Sequence, residues 1–352
     1  MRILLVNDLA PGPDSDVEVH VARLADGLRA AGDDVELFAG EVVHRGPSRV
    51  LDVWNPSARR KLATRAAAFR PDIVHHHVVR ELSASVLGIP PGVPQVLTVH
   101  DFHRLGDAGA AAAASPVATR VKAGLDRSVA RRRVDLAIAM SEPLGDALRQ
   151  AGFTRVVHVS PFADRPTETP PPPSACLNVA FAGPLAADKG LSVLADAWPT
   201  VLHAHPWARL CVAGAGPLAL RLAALDRVDQ LGSTSTEQVR DMLLGARVVV
   251  VPSMPGSRGQ SLPTVAIEAA MFGRPLVVSD HPGLAAFATA SGGALVTRGG
   301  DADALAKAIT RLLEDDVLAD ELGAAGAAHA GSHHTTEAGV ATLRALYAEL
   351  GR

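Results

Sequence analysis

The segment that most constrains the fold lies between residues 248 and 279. An apolar run at 248–251 is followed by the turn residues Pro252-Ser253, a stretch at 259–273 with glycine at both ends, and a second apolar run at 275–279. This order predicts a strand, a loop, a helix beginning at Pro263 and another strand. Ligands of such parallel sheets bind at the carboxyl ends of the strands, and the N–H groups of a helix start suit phosphate.

The same alternation of short apolar runs and helical stretches recurs in both halves of the chain. Strands are predicted at 2–6, 35–38, 72–75, 96–100, 135–140 and 156–159, and then at 178–182, 209–213, 247–251 and 276–279. At 352 residues the chain exceeds what one hydrophobic core commonly supports. We therefore predict an α/β fold with two Rossmann-like, doubly wound parallel-sheet domains facing a central cleft.

A proline-rich segment at residues 166–174 separates the two halves. Its stiffness suits a connector between domains, because proline is excluded from helix interiors and central strands. The predicted domains therefore cover residues 1–165 and 175–334. Residues 335–352 are expected to form a last helix that packs back on the first domain.

Composition excludes several classes of partner. The chain is 48% hydrophobic and 20% charged, and its net charge of −3 indicates no surface for nucleic acid. Cys176 and Cys211 lie far apart without metal-ligand spacing, which fits a reducing compartment. We find no signal-peptide pattern and no apolar run near the roughly 18–20 residues that span a bilayer. A cytoplasmic protein is expected, and peripheral membrane contact remains open.

Several motifs stand at predicted strand ends in a recognisable order. The motifs are Asp72-Ile73-Val74-His75-His76-His77, Thr98-Val99-His100-Asp101, Ser141, Phe181-Ala182-Gly183 through Lys189-Gly190, Gly214 through Pro217, Leu231-Gly232, Pro252-Ser253 and the helix with Glu268. In the order and spacing of these motifs the chain resembles the retaining glycosyltransferases of family four, which have the two-domain GT-B architecture and use nucleotide-activated sugars.

The resemblance implies a reaction. A hexose or amino-sugar would pass from a nucleotide-diphosphate sugar to a hydroxyl group of a small acceptor, with retention of anomeric configuration. The first domain would bind the acceptor and the second the donor. UDP or GDP is expected as the nucleotide, which makes the sugar nucleotide a substrate, with no separate cofactor and no metal.

Lys189 and Glu268 are the donor-side residues with the clearest chemistry. A lysine at a helix start can neutralise a diphosphate as it leaves, and a carboxylate can accept hydrogen bonds from both ribose hydroxyls. The resemblance gives the two residues these roles. It also places further positions against the donor: Gly183, Gly214, Gly216, Gly259, Gln260, Ser261 and Leu262.

His100 ends a predicted strand, and the resemblance places it against the transferred sugar, with Asp101 beside the acceptor. With Gln260 and Lys189 it completes the predicted catalytic set. The run His75-His76-His77 does not predict a metal site, because consecutive strand residues point to opposite faces and cannot converge on one ion.

Three positions depart from the family pattern. Gln260 stands where the family has a first glutamate, so it keeps hydrogen bonding but loses a charge that could stabilise a cationic centre. Pro184 replaces an arginine that commonly partners the lysine. The first loop carries Ser15-Asp16 in place of paired glycines, and with Asp14 it is acidic. Carboxylates near the acceptor would favour an ammonium group, as in an amino-sugar or aminocyclitol.

Two alternatives follow from these departures and from the fold. The chain could be a degenerate relative that binds a nucleotide or a partner without turnover, or a sugar-nucleotide epimerase. A nicotinamide dehydrogenase is disfavoured, since residues 7–16 lack a Gly-x-Gly-x-x-Gly turn after the first strand.

Overall fold

The computed structural model describes residues 1–8, 16–39, 55–77, 82, 84–100, 128–254 and 262–351. The chain divides into two compact units. The first contains Met1–Ser160 and Thr336–Arg352, and the second contains Pro161–Ser257 and Leu262–Thr335. Each unit is an α/β domain with a parallel sheet, as predicted.

The first unit is built on a six-stranded sheet in the order β2-β1-β3-β4-β5-β6, with every described pair parallel. The strands are β1 (Arg2–Asn7), β2 (Asp34–Ala39), β3 (Ile73–His76), β4 (Gln95–Val99), β5 (Leu136–Ala139) and β6 (Val156–His158). Its helices are α1 (Asp16–Ala30), α2 (Pro56–Phe69), α3 (Glu142–Gln150) and the last helix of the chain, α11 (Thr336–Leu350).

Helix α11 belongs to the first unit although it ends the chain. It lies against α1 at Gly27, where a Cβ atom would be 2.7 Å from the Val340 side chain. Arg344 of α11 forms a 2.8 Å ion pair with the buried carboxylate of Asp33. Close packing at a glycine and an ion pair to a buried carboxylate thus hold the last helix against α1.

The second unit is built on a sheet in the order β12-β11-β10-β7-β8-β9, again parallel throughout its described pairs. The strands are β7 (Asn178–Ala182), β8 (Arg209–Ala213), β9 (Val228–Gly232), β10 (Ala246–Val251), β11 (Leu276–Ser279) and β12 (Ala294–Thr297). The helices are α4 (Leu191–Ala204), α5 (Ala219–Ala223), α6 (Thr236–Leu244), α7 (Thr264–Met271), α8 (Pro282–Ser291), α9 (Ala302–Glu314) and α10 (Asp316–His333).

Two apolar clusters bury the sheet of the second unit. One contains Trp198 of α4 and the apolar side chains Leu305, Ile309, Leu312 and Leu313 of α9. The other contains α7 and the short strand β11. Among the described residues, no helix has both the length and the apolar character required to cross a membrane.

The proline-rich segment is fastened to the second unit, and the division between the units falls before it, at residue 160. The guanidinium of Arg274 is fully buried and donates to the carbonyl of Pro171. Arg247 donates to the carbonyl of Ser174, and the Ser174 hydroxyl donates to Asp320 at 2.7 Å. Residues 166–174 therefore behave as part of a domain surface.

The structure corrects two details of the predicted elements. Strands β9 and β12 were not predicted, and both are edge strands whose residues are largely half-exposed. Helix α7 begins at Thr264, with Pro263 in extended conformation at the N-cap. The predicted helix start was therefore one residue early.

Candidate functional site

Glycines after β7 and β8 bring two loops of the second unit into backbone contact. A Cβ atom at Gly214 would lie 2.0 Å from the carbonyl oxygen of Gly183, and one at Gly216 would lie 2.5 Å from that of Leu185. The N–H of Leu185 also donates to the carbonyl of Ala215 at 2.9 Å. The structure thus brings three of the predicted donor-side glycines together. Glycine is required at Gly214 and Gly216 by loop packing alone.

Lys189 lies on a short turn that is fixed to the loop after β10. The turn is a 3₁₀ helix, Ala187–Lys189, and it ends at Gly190 with φ of 73°. A Cβ atom at Gly190 would be 1.7 Å from the carbonyl oxygen of Pro252. The N–H of Met254 donates to the carbonyl of Asp188 at 2.9 Å. The half-buried Lys189 is therefore held beside the carboxyl end of β10.

This position is the topological switch point of the second sheet. β7 is the first strand of the unit and lies between β8 and β10, so the chain leaves the two neighbouring strands β7 and β10 toward opposite sides. Helices α4 and α7 follow these strands, and their N-cap residues, Gly190 and Pro263, make no side-chain capping hydrogen bond. Uncapped N–H groups at a switch point form a site suited to phosphate.

Glu268 lies in the second turn of α7 and is half-buried. The residues around it on the helix face the core, including Ile267 and Ala269. Leu262 precedes the helix and packs partly against the same core. The structure places Glu268 and Leu262 on the segment after β10, whereas the predicted donor residues Gly259, Gln260 and Ser261 lie outside the described residues.

Histidines gather at the corresponding switch point of the first unit, between β1 and β3. His75 and His77 share one face of β3, with ring centroids 4.2 Å apart, whereas His76 points to the other face and bonds Gln95 at 2.8 Å. The strand alternation expected from the sequence therefore holds. His75 is bonded on both ring nitrogens, by the Tyr347 hydroxyl of α11 at 2.6 Å and by Thr98 at 2.7 Å.

His100 joins this group from the end of β4. Its Nε2 lies 3.2 Å from Nδ1 of His77, and its ring meets that of His20 edge-on at 5.2 Å. Burial lowers the pKa of His20 to about 3, with a smaller contribution from the positive charge of Arg23. Burial also lowers the pKa of His77 well below its usual value, and repulsion from the neighbouring histidines adds a smaller contribution. These buried rings are therefore neutral at pH 7.

His20, His77 and His100 are the described residues that could together hold a metal ion. Each offers a nitrogen within 4.8 Å of the others. A metal-bound imidazole commonly donates its second N–H to an acceptor, but Nε2 of His77 is buried without a hydrogen-bond partner. Arg23 also disfavours a second positive charge near His20. A hydrogen bond alone accounts for the 3.2 Å separation of His77 and His100, so we assign no metal here.

The prediction from sequence missed His20, although a signal for it exists. Residue 20 lies three positions after Val17 and four before Leu24, on the apolar stripe of α1. The predicted acceptor residues are not brought together by the described structure. Asp14, Ser15 and Asp101 lie outside the described residues, and Asp16 opens α1 without a described side chain.

Two known families match the chain, one in each of its two halves. The family described as Glycosyltransferase Family 4 matches residues 17–165, and the one described as Glycosyl transferases group 1 matches residues 177–315. The D-inositol 3-phosphate glycosyltransferase of Corynebacterium efficiens is 26% identical over 96% of this chain and 91% of its own length. A GDP-mannose-dependent mannosyltransferase of Corynebacterium glutamicum is 32% identical over 40% of this chain and 39% of its own.

Solved structures agree on the fold. Sucrose-phosphate synthase from Thermosynechococcus elongatus superposes with a TM-score of 0.77 at 20% identity, over 99% of both chains. Anabaena HepE in complex with UDP and glucose superposes with a TM-score of 0.74 at 17% identity, over 99% of this chain and all of its own. Two parallel six-stranded domains and these matches define a GT-B glycosyltransferase. The chain belongs to glycosyltransferase family four, as the order of its motifs indicates.

Proposed function

We propose that the protein is a retaining glycosyltransferase. It transfers a hexose or an amino-sugar from a nucleotide-diphosphate sugar to a hydroxyl group of a small acceptor. The observation that carries this proposal is the fixed turn of Lys189 at the switch point of the second sheet, beside two uncapped helix starts. Such a combination of lysine and N–H groups stabilises the negative charge of a departing diphosphate.

Glu268 binds the ribose in this proposal. Its carboxylate stands about one turn into α7, so it can reach hydroxyl groups while the start of the helix faces phosphate. Gly183 and Ser261 line the diphosphate, and Gln260 bonds the sugar through its amide. Because lysine and backbone dipoles supply the positive charge, the transfer needs no metal ion.

His100 contacts the transferred sugar, and the acceptor hydroxyl attacks from the side that the diphosphate leaves. Departing phosphate oxygen accepts the proton of that hydroxyl. Asp14, Ser15, Asp16 and Asp101 bind the acceptor in this proposal. Their carboxylates favour a cationic acceptor, an amino-sugar or an aminocyclitol.

UDP or GDP is the proposed nucleotide, supported by the names of relatives. The Corynebacterium glutamicum relative is GDP-mannose-dependent, and Anabaena HepE was solved with UDP and with UDP-glucose. A thermal-shift panel of UDP, GDP, ADP and TDP with their sugars tests the donor. One nucleotide should raise the melting temperature at saturation, and a protein stabilised by none of them would refute the proposal.

The role of Lys189 is tested with a matched pair of variants. Lys189→Met should weaken binding of the stabilising nucleotide about 10- to 100-fold, because the loss of one charge-assisted contact to phosphate is worth about 1.5–3 kcal/mol. Lys307→Met, at an exposed lysine of α9 in the same unit, should leave affinity unchanged. Isothermal calorimetry measures both. Equal affinities for the two variants would remove Lys189 from the site.

Stereochemistry and acceptor class need a product assay. NMR of the first product formed should show the anomeric configuration of the donor, and inversion would refute a retaining mechanism. An aminocyclitol and the matching cyclitol, which differ by one ammonium group, should differ in KM. Asp14→Asn with Asp16→Asn should abolish that difference, and an unchanged preference would show that the acidic loop does not select the acceptor.

A binding protein without turnover is the second candidate, favoured by Gln260 and Pro184 at positions where the family has charged residues. In that case nucleotide would bind while no donor and acceptor pair gave product. Any turnover excludes this alternative.

A further inference from the structure

We propose that His77 is a positioning residue that fixes the tautomer of His100. It holds His100 as a neutral ring whose proton is on Nδ1, so that Nδ1–H is the donor group His100 offers to a ligand. The tautomer follows from contacts within the first unit. Only its value for the reaction rests on the proposed function.

The argument begins with the two nitrogens of His77. Its Nδ1 lies 3.2 Å from Nε2 of His100, and its Nε2 is buried with no hydrogen-bond partner among the described residues. A neutral imidazole carries one proton, on one of these atoms. A proton on Nε2 would leave a buried N–H without an acceptor, which is rare because the lost hydration is not replaced. The proton therefore lies on Nδ1 and is donated to His100.

The state of His100 follows from this donation. Nε2 of His100 accepts the hydrogen bond, so its ring can hold a proton only on Nδ1. Charging His100 would make Nε2 a donor as well. His77 would then have to move its own proton to the buried Nε2, where it has no acceptor. The pair thus opposes formation of an imidazolium at His100.

The charged neighbours that shift the pKa of His77 are other histidines, His75, His100, His20 and His76. His20 and Arg23 approach from α1, and His75 and His76 flank His77 on β3. The Tyr347 hydroxyl of α11 contacts His75, and burial raises the pKa of Tyr347 above its usual value. The histidines disfavour a positive charge on His77, and Arg23 disfavours one on His20.

A neutral His100 suits the proposed reaction. Retaining transfer develops positive charge at the anomeric carbon, and an imidazolium against the transferred sugar would repel that charge. A neutral ring with a proton on Nδ1 can instead donate to a sugar hydroxyl. His77 therefore contributes by keeping His100 in the form that binds the sugar without opposing the transition state.

The wild-type protein labelled with ¹⁵N-histidine provides the direct test, without any substrate. Two-bond ¹H–¹⁵N correlation spectra at pH 7 distinguish a protonated ring nitrogen from an unprotonated one. We expect His100 to be protonated on Nδ1 and His77 also on Nδ1. A spectrum with His100 protonated on Nε2 or on both nitrogens would overturn the proposal, as would one zinc ion per chain by elemental analysis.

Two variants of nearly equal size test the consequence for catalysis. His77→Asn keeps an N–H donor toward His100, whereas His77→Asp offers only acceptors and favours a proton on Nε2. The Asn variant should keep the wild-type tautomer and most of kcat. The Asp variant should lose at least about tenfold in kcat with little change in KM, and regain it as pH rises and His100 loses its charge.

A merely structural role would affect both variants alike, so equal kcat values and equal pH profiles would also overturn the proposal. Failure of the proposed function appears differently. If wild-type protein forms no product from any pair, the reaction is wrong, while the wild-type spectrum still decides the tautomer.

Discussion

Gly190→Ala should damage the second unit far more than the same change at a glycine with similar backbone geometry. Gly190 has φ of 73° and Gly232 has φ of 70°, so alanine at either position adopts a left-handed conformation. That conformation costs about 1–2 kcal/mol for a residue with a Cβ atom. The surroundings differ, because a Cβ atom at Gly232 meets nothing within 4 Å, whereas one at Gly190 lies 1.7 Å from the carbonyl oxygen of Pro252.

The contact between a Cβ atom at residue 190 and the carbonyl oxygen of Pro252 determines how far the two variants differ in stability. Since Cβ atoms do not approach other atoms within 3.0 Å, the contact must open by about 1.3 Å. The obstacle is backbone, which cannot rotate away as a side chain can. Overpacking of this kind costs about 1–3 kcal/mol more. At roughly 2–4 °C per kcal/mol for a domain of this size, the two variants should melt roughly 2–12 °C apart.

Two of the three tryptophans, Trp198 and Trp207, lie in the second unit, so tryptophan fluorescence in a Trp54→Phe background follows that unit. Thermal unfolding of the wild type and the two alanine variants gives three melting temperatures. Gly190→Ala should also displace Lys189 and weaken nucleotide binding, whereas Gly232→Ala should not. Equal melting temperatures for the two variants would show that the chain accommodates the clash freely and would refute the packing argument.

Three further predictions concern stability. Arg274→Met should destabilise the second unit by about 2–4 kcal/mol in urea unfolding, because it leaves buried carbonyls unsatisfied, whereas Arg311→Met at an exposed position should have little effect. His20 does not reduce the free energy of unfolding above about pH 6.5, where it is neutral in the folded and the unfolded chain. Between about pH 6.5 and its folded pKa of about 3, only the unfolded chain takes up a proton at this residue, so the fold loses stability as the pH falls. Between these pH values His20 alone should cost about 1.4 kcal/mol of unfolding free energy per pH unit, and His20→Gln should reduce the slope of the unfolding free energy against pH by that amount, as measured by urea unfolding. Tyr347→Phe should destabilise the first unit by about 1–3 kcal/mol by leaving Nδ1 of His75 without its partner, measured by circular dichroism.

Most of the fold could be predicted from the sequence because buried parallel strands consist of continuous apolar runs. β10 (Ala246–Val251) is buried at every residue and was predicted within one residue of its start. β9 (Val228–Gly232) was missed, since an edge strand with Asp229 and Gln230 carries no such run. The helix over residues 316–333 was missed as well, because its alanine and glycine content gives almost no apolar periodicity.

The candidate site could be located but not explained from sequence. Motif order placed Lys189 after β7 and Glu268 on the helix after β10, which is where they lie along the elements of the structure. Only the structure shows that Gly190 is needed because Pro252 occupies the space of its side chain. Likewise, strand alternation separates His76 from His75 and His77, but contacts with His20 and His100 depend on packing between elements that no local pattern specifies.

Gln260→Glu tests the difference from the family pattern that bears most directly on activity, which is the glutamine at residue 260 in place of a glutamate. A glutamate at this position supplies a negative charge that can stabilise positive charge at the anomeric carbon, whereas glutamine supplies hydrogen bonds alone. If the site is an impaired form of the family's, Gln260→Glu should raise kcat about tenfold or more with little change in KM. If the amide instead selects this substrate, as a donor to a sugar oxygen, the variant should lose kcat/KM by a similar factor. Gln238→Glu, a matched change at the N-terminal turn of α6, should leave both constants unchanged. Equal kinetics for wild type and Gln260→Glu would show that residue 260 does not approach the reacting centre, and the proposed sugar contact would then be wrong.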